Sequence, residues 1–90
     1  MSTIDRMQQR LAALAPSHLE IVDDSAKHAG HAGAADGGGH YNLTIESAQF
    51  AGKSTLARHR LIYSALADLM QREIHALAID ARVPAEGVSR

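Results

Sequence analysis

The sequence predicts an α+β fold: one two-layer domain over residues 1–90, in the order helix, strand, strand, helix, strand, with a three-stranded mixed sheet carrying both helices on one face. Three observations predict it. Apolar residues step by three and four at Ile4, Met7, Leu11 and Leu14, and again at Ile62, Leu66, Leu69 and Met70, as on a buried helix face. Tyr41, Leu43 and Ile45 alternate with Asn42, Thr44 and Glu46, as in a half-buried strand. A long helical run separates that strand from a shorter one containing Leu77 and Ile79, so these two strands are expected to be parallel, with the helix as their crossover.

Ser2, followed three residues later by Asp5, is a capping pattern for the first helix, and Pro16 stops that helix near Leu14. His18 to Asp23, with Leu19, Ile21 and Val22, reads as the first strand, antiparallel to the second. Residues 25–40 are rich in Gly and Ala and carry too few bulky apolar groups to bury a face, so they are expected to form a mobile loop. Hairpin connections usually have about two to five residues, so a loop of this length is functional or disordered. Gly52 supplies a turn after Phe50, Ser54 or Thr55 caps the long helix, and that helix is expected to run to about Arg72. Residues 83–90 form a tail too short for another element.

A chain of this length buries only about 60–65% of the surface its unfolded form exposes. With one Phe, two Tyr and no Trp the core is aliphatic, and no deep substrate cavity is expected. Nine Lys and Arg against ten Asp and Glu give a net charge of −1, which provides no global attraction to nucleic acid or to an anionic membrane. No stretch reaches the roughly 18 apolar residues of a membrane helix, and the N-terminus lacks the order of a signal peptide, so a cytoplasmic protein is expected. A presequence built on Arg6 and Arg10 is the weaker alternative, because Asp5 interrupts it.

With no cysteine, neither a disulfide nor a thiolate metal site can be built from this chain alone. The six histidines are the conspicuous borderline ligands. If the last two strands are parallel, both begin at the sheet edge where the long loop ends, which brings His75 to the end that carries His28, His31 and His40. His59, near the start of the intervening helix, lies roughly 24 Å away along its axis. His28, His31 and His75 are candidate imidazole ligands, against the plainer reading of exposed polar residues in a polar loop. His40 reads as a strand-end residue and His59 as a packed structural one.

Lys53, Arg58 and Arg60 surround the start of the long helix, where cations oppose the helix dipole. They suggest a partner or nucleic-acid surface, with a solvated basic face as the competing reading. Ser25 and Ser54 have no glycine-elbow context, and Asp23 and Asp24 are adjacent rather than set across a substrate, so no enzyme is expected.

Together Leu19-Glu20-Ile21-Val22-Asp23-Asp24-Ser25, His28-Ala29-Gly30-His31-Ala32-Gly33, Gly39-His40-Tyr41, Phe50-Ala51-Gly52-Lys53-Ser54, Arg58-His59-Arg60-Leu61-Ile62-Tyr63 and His75-Ala76-Leu77 resemble the BolA-like family across nearly the whole chain. The resemblance implies a fold like a class II KH domain. It also implies a heterodimer with a monothiol glutaredoxin, sharing a [2Fe–2S] cluster, formed by a chain that is monomeric alone and holds no tightly bound cofactor. In such complexes the glutaredoxin cysteine and glutathione supply thiolates. His75 matches the family's C-terminal ligand, and His28 aligns with the loop ligand, with His31 as the alternative. Imidazoles on one iron beside thiolates on the other are established chemistry in Rieske centres. Phe50, Gly52 and His59 belong to the family's structural motif. The alternative function is that of a DNA-binding transcriptional regulator affecting cell shape and stress response. Against it, Gly52-Lys53-Ser54-Thr55 lacks the second glycine of the Gly-x-x-Gly clamp of KH domains. The tail Pro84-Ala85-Glu86-Gly87 also lacks the aromatic residue that follows Pro in many relatives.

Overall fold

The computed structural model describes residues 2–25 and 39–84. Ser2 opens helix α1 (Thr3–Leu11) with a capping box: its hydroxyl accepts from the Asp5 N–H at 3.1 Å, and the Asp5 carboxylate accepts from the Ser2 N–H at 3.2 Å. A 3-10 turn (Ala12–Leu14) follows and ends at Ala15, whose φ of 50° takes the chain out of the helix ahead of Pro16.

The strands β1 (His18–Asp23), β2 (Gly39–Glu46) and β3 (Ile74–Arg82) form one sheet in the order β1-β2-β3, with β1 antiparallel and β3 parallel to β2. The inner face of β2 buries Tyr41, Leu43 and Ile45, flanked by Leu19 and Ile21 from β1 and by Leu77 and Ile79 from β3. Against them pack Met7 and Leu11 of α1 and Ile62 and Leu66 of the second helix, α2 (Thr55–Leu66), with Phe50 fully buried beneath the turn that leads into it. Gly52 makes that turn at φ 76°, a conformation glycine adopts without steric cost, and the Ser54 hydroxyl caps α2 by accepting from the Ala57 N–H at 3.1 Å.

Two expectations need correction. The run to Arg72 is not one helix: α2 stops at Leu66, Ala67 turns to φ 49° and ψ −124°, and a separate helical turn, α3 (Leu69–Arg72), leads into β3. Leu66 and Leu69 stay buried on either side of the break, so apolar spacing alone gives no sign of it. The loop expected over 25–40 is also shorter, because Gly39 and His40 already pair within β2 and Ser25 bonds to His40. The other loop residues, including His28 and His31, lie outside the described residues, as do residues 85–90.

Candidate metal centre

The parallel pairing of β2 with β3 sets Gly39 and Ile74 at one end of the sheet and Glu46 and Arg82 at the other. At the first end the register passes from Gly39 opposite Ile74 to His40 opposite Ala76, which leaves His75 as the extra residue of a β-bulge. In an unbroken strand Ala76 would face the core together with Ile74. The bulge instead leaves His75 and Ala76 both exposed and returns Leu77 to the inner face. His40, next to the buried Tyr41, belongs to the solvent side of β2, and the His40 and His75 rings lie with centroids 5.2 Å apart and planes tilted by 46°.

The same end of the sheet is tied to both ends of the long loop. The Asp24 N–H donates to the His40 carbonyl at 2.7 Å, and the His40 N–H donates to the Ser25 hydroxyl at 3.0 Å. Hydrogen bonding from Ser25, including its N–H at 2.9 Å, holds the Asp23 carboxyl below the usual carboxylate range. On the β3 side, the Gly39 N–H donates to the Glu73 carbonyl at 2.9 Å. A Cβ at Gly39 would run into the Tyr41 ring, so a side chain there requires that ring to move. A shallow groove of about 290 Å³ opens beside His40 along β2 and β3, lined among others by Asp24, Asn42, Ala76 and Ala78.

Chemically, this end of the sheet offers two neighbouring imidazoles and no sulfur. Among the described residues no group of three or more His, Asp or Glu converges as a metal cage. His18 lies at the opposite end of the sheet, paired in register with Glu46, its Nε2 3.9 Å from a Glu20 carboxylate oxygen. His59 is half-buried on α2, edge-on to Tyr63 with ring centroids 6.5 Å apart. The cations at the start of α2 divide. Arg58 donates from Nε to the Lys53 carbonyl and from Nη1 to the Ala81 carbonyl, both at 3.0 Å, and so ties the helix start to the far end of β3, whereas Lys53 and Arg60 are exposed.

Sequence reasoning placed His40 at the same end of the sheet as His75 but read it as a strand-end residue and not as a ligand candidate in ring contact with His75. The signal was present in Ile74-His75-Ala76-Leu77: two core residues three apart inside a strand require a bulge between them, and the bulge brings His75 over His40.

Fold and site together define a class of protein: a small α+β module with a paired-imidazole site at the loop end of a sheet whose other face is covered by helices. The family described as BolA-like protein matches residues 11–86, and the chain belongs to that family. It is 48% identical over 87 residues, 90% of its length, to SufE-like protein 1, chloroplastic/mitochondrial, of Arabidopsis thaliana. With the DNA-binding transcriptional regulator BolA of Escherichia coli (strain K12) it shares 40% identity over 83% of this chain and 70% of that one. Among solved structures it resembles the BolA domain of SufE1 from Arabidopsis thaliana, with a TM-score of 0.83, 46% identity and 96% of each chain covered. The chain spans 24% of the length of SufE-like protein 1 and about half the length of several other curated relatives that it matches.

Proposed function

We propose that this chain acts in the cytoplasm as the partner of a monothiol glutaredoxin, contributing histidine ligands to a shared [2Fe–2S] cluster, the cargo of the pair, during its assembly, trafficking or sensing. The observation that carries the reading is the position of His75, raised on a bulge at the end of the sheet where Ser25 and His40 hold the ends of the histidine loop. His28 stands three residues beyond Ser25, an extended reach of about 10 Å, and His31 six residues beyond it, about 20 Å, so chain length lets either approach His75. The donor set suits the cargo in one respect and limits it in another. Imidazole nitrogens suit one iron, while the absence of cysteine requires the thiolates to come from the glutaredoxin and glutathione.

The test is to mix the purified chain with a cluster-loaded monothiol glutaredoxin and record visible circular dichroism alongside a sizing column. A new visible spectrum and a heterodimer are expected. His75→Ala removes the new spectrum while the far-ultraviolet spectrum stays the same, and His59→Ala keeps it. An unchanged visible spectrum with no complex on the column overturns the reading.

A second reading, DNA binding, is favoured by the exposed Lys53 and Arg60 at the opposite end of the sheet and by the name of the Escherichia coli relative.

A further inference from the structure

The cluster reading draws on His75 with the loop histidines and on sulfur from elsewhere, whereas His75 already stands beside His40 on the parallel pair β2 and β3. The geometry points to a two-imidazole site on the isolated chain for a divalent first-row transition ion of the Cu²⁺, Ni²⁺ or Zn²⁺ type, made by His40 and His75 and needing neither the loop histidines nor a partner's thiolate. Imidazole is a borderline ligand suited to these ions. An ion about 2.0–2.1 Å from one nitrogen of each ring lies roughly 3.2 Å from each ring centre, which sets the centres about 5.2 Å apart at a tetrahedral angle and about 4.5 Å apart at a right angle. The observed separation of 5.2 Å falls at the tetrahedral value, so the ring centres need no displacement to share a tetrahedral ion such as Zn²⁺, and they need to approach by about 0.7 Å for the tetragonal geometry of Cu²⁺ or Ni²⁺.

The backbone holds that separation. His40 is fixed by its own N–H and C=O, bonded to Ser25 and Asp24, and His75 by a bulge flanked by the buried Ile74 and the inward-facing Leu77. Site residues carried on strands are placed more closely than residues on loops. The surroundings leave room for further ligands: Ala76 and Ala78 line the groove beside His40 with the smallest side chains that a strand carries. Two protein nitrogens leave the remaining coordination positions to water or to donor atoms of a second molecule. The site shares His75 with the cluster reading but asks nothing of a glutaredoxin, and His40 is the residue that tells the two apart.

The probe is Cu²⁺, which binds most tightly of the divalent first-row ions. Titrated into the 90-residue chain and followed by electron paramagnetic resonance, it is expected to show hyperfine coupling to two imidazole nitrogens. His40→Gln and His75→Gln should each weaken binding by at least about tenfold, a loss as large as that from changing a ligand's supporting partner. His18→Gln and His59→Gln should leave the spectrum as it is. In the unmodified chain, substoichiometric Cu²⁺ should broaden the ring proton resonances of His40 and His75 before those of any other histidine, a measurement that does not depend on how well the variants fold. A two-nitrogen spectrum that survives in folded His40→Gln, or early broadening of His28 and His31 in place of His40, assigns the ion to the loop and overturns the proposal. So does a spectrum with no imidazole coupling.

Discussion

Ser47 is fully buried at a point where three segments meet. Its hydroxyl donates to the Leu14 carbonyl and accepts from the Gln49 N–H at 3.1 Å, while its own N–H donates to the Arg82 carbonyl at 2.9 Å. The hydroxyl therefore joins the end of the 3-10 turn after α1 to the turn that follows β2, in a place water does not reach. Ser47→Ala strands the Leu14 carbonyl and removes the cap on Gln49, and a buried polar group left without its partner costs about 1–3 kcal/mol. Urea denaturation of Ser47→Ala should show a loss in that range with an unchanged m-value. A loss below a few tenths of a kcal/mol would mean that the carbonyl finds another donor. Nothing in the sequence distinguishes Ser47 from the other serines, because its importance comes from a contact 33 residues away in the chain.

At the scale of elements, α1 is fastened to the chain that delivers β3. Glu73 accepts from the Thr3 hydroxyl at 2.7 Å and from the Arg6 guanidinium, while Arg10 reaches the Asp68 carboxylate at 2.9 Å and the Leu66 carbonyl at 3.2 Å. Hydrogen bonding from Arg6, with a further contribution from Thr3, holds the Glu73 carboxyl below the usual carboxylate range. The folded state therefore binds this proton less readily than the unfolded chain does. The resulting stabilisation is present above the unfolded glutamate pKa and is lost as pH falls through the lower folded value. Glu73→Gln should flatten the acid limb of stability against pH in urea melts taken from neutrality downward, and an acid limb identical to that of the parent would remove Glu73 from the account. The break between α2 and α3 supplies a second case. Ala67 sits at φ 49° and ψ −124°, where a Cβ is strained by about 1–3 kcal/mol, and glycine relieves that strain while adding about 0.4–1 kcal/mol of freedom to the unfolded chain. Ala67→Gly should thus stabilise the protein by about 1 kcal/mol in the same denaturation experiment, and a destabilised variant would contradict the strain argument. Periodicity read the positions of α1, α2 and all three strands because each buries one face. It missed the break at Ala67 because Leu66 and Leu69 keep the helical spacing across it, and Ala, the strongest helix former, gives no local sign of a left-handed residue.

Across the whole molecule, the parallel pairing of β2 with β3 was the step from which the site could be read: it put His75 at the loop end and the start of α2 at the other. What spacing did not provide was the phase change at the bulge, which makes His40 the described neighbour of His75. The same topology separates the two candidate functions in space. Arg58 bonds the start of α2 to Ala81, next to the last residue of β3, so the exposed Lys53 and Arg60 stand at the opposite end of the sheet from His40 and His75. With a net charge of −1 the chain has no global pull toward a polyanion, and any phosphate binding has to be local to that far end. Each phosphate contact releases condensed counterions and steepens the dependence of log K on log salt by about 0.9 for duplex DNA. If the far end binds DNA, Lys53→Ala and Arg60→Ala should each weaken binding to duplexes of any sequence and reduce the salt slope by about 1, with no effect on the visible spectrum formed with a cluster-loaded glutaredoxin. His75→Ala should do the opposite, abolishing that spectrum and leaving the salt slope alone. Fluorescence anisotropy at several salt concentrations, run on the same three variants as the visible circular dichroism, compares the two ends directly. Binding undetectable at near-physiological salt removes the DNA reading for the isolated chain, and a salt slope that falls in His75→Ala contradicts the separation of the two surfaces along the sheet.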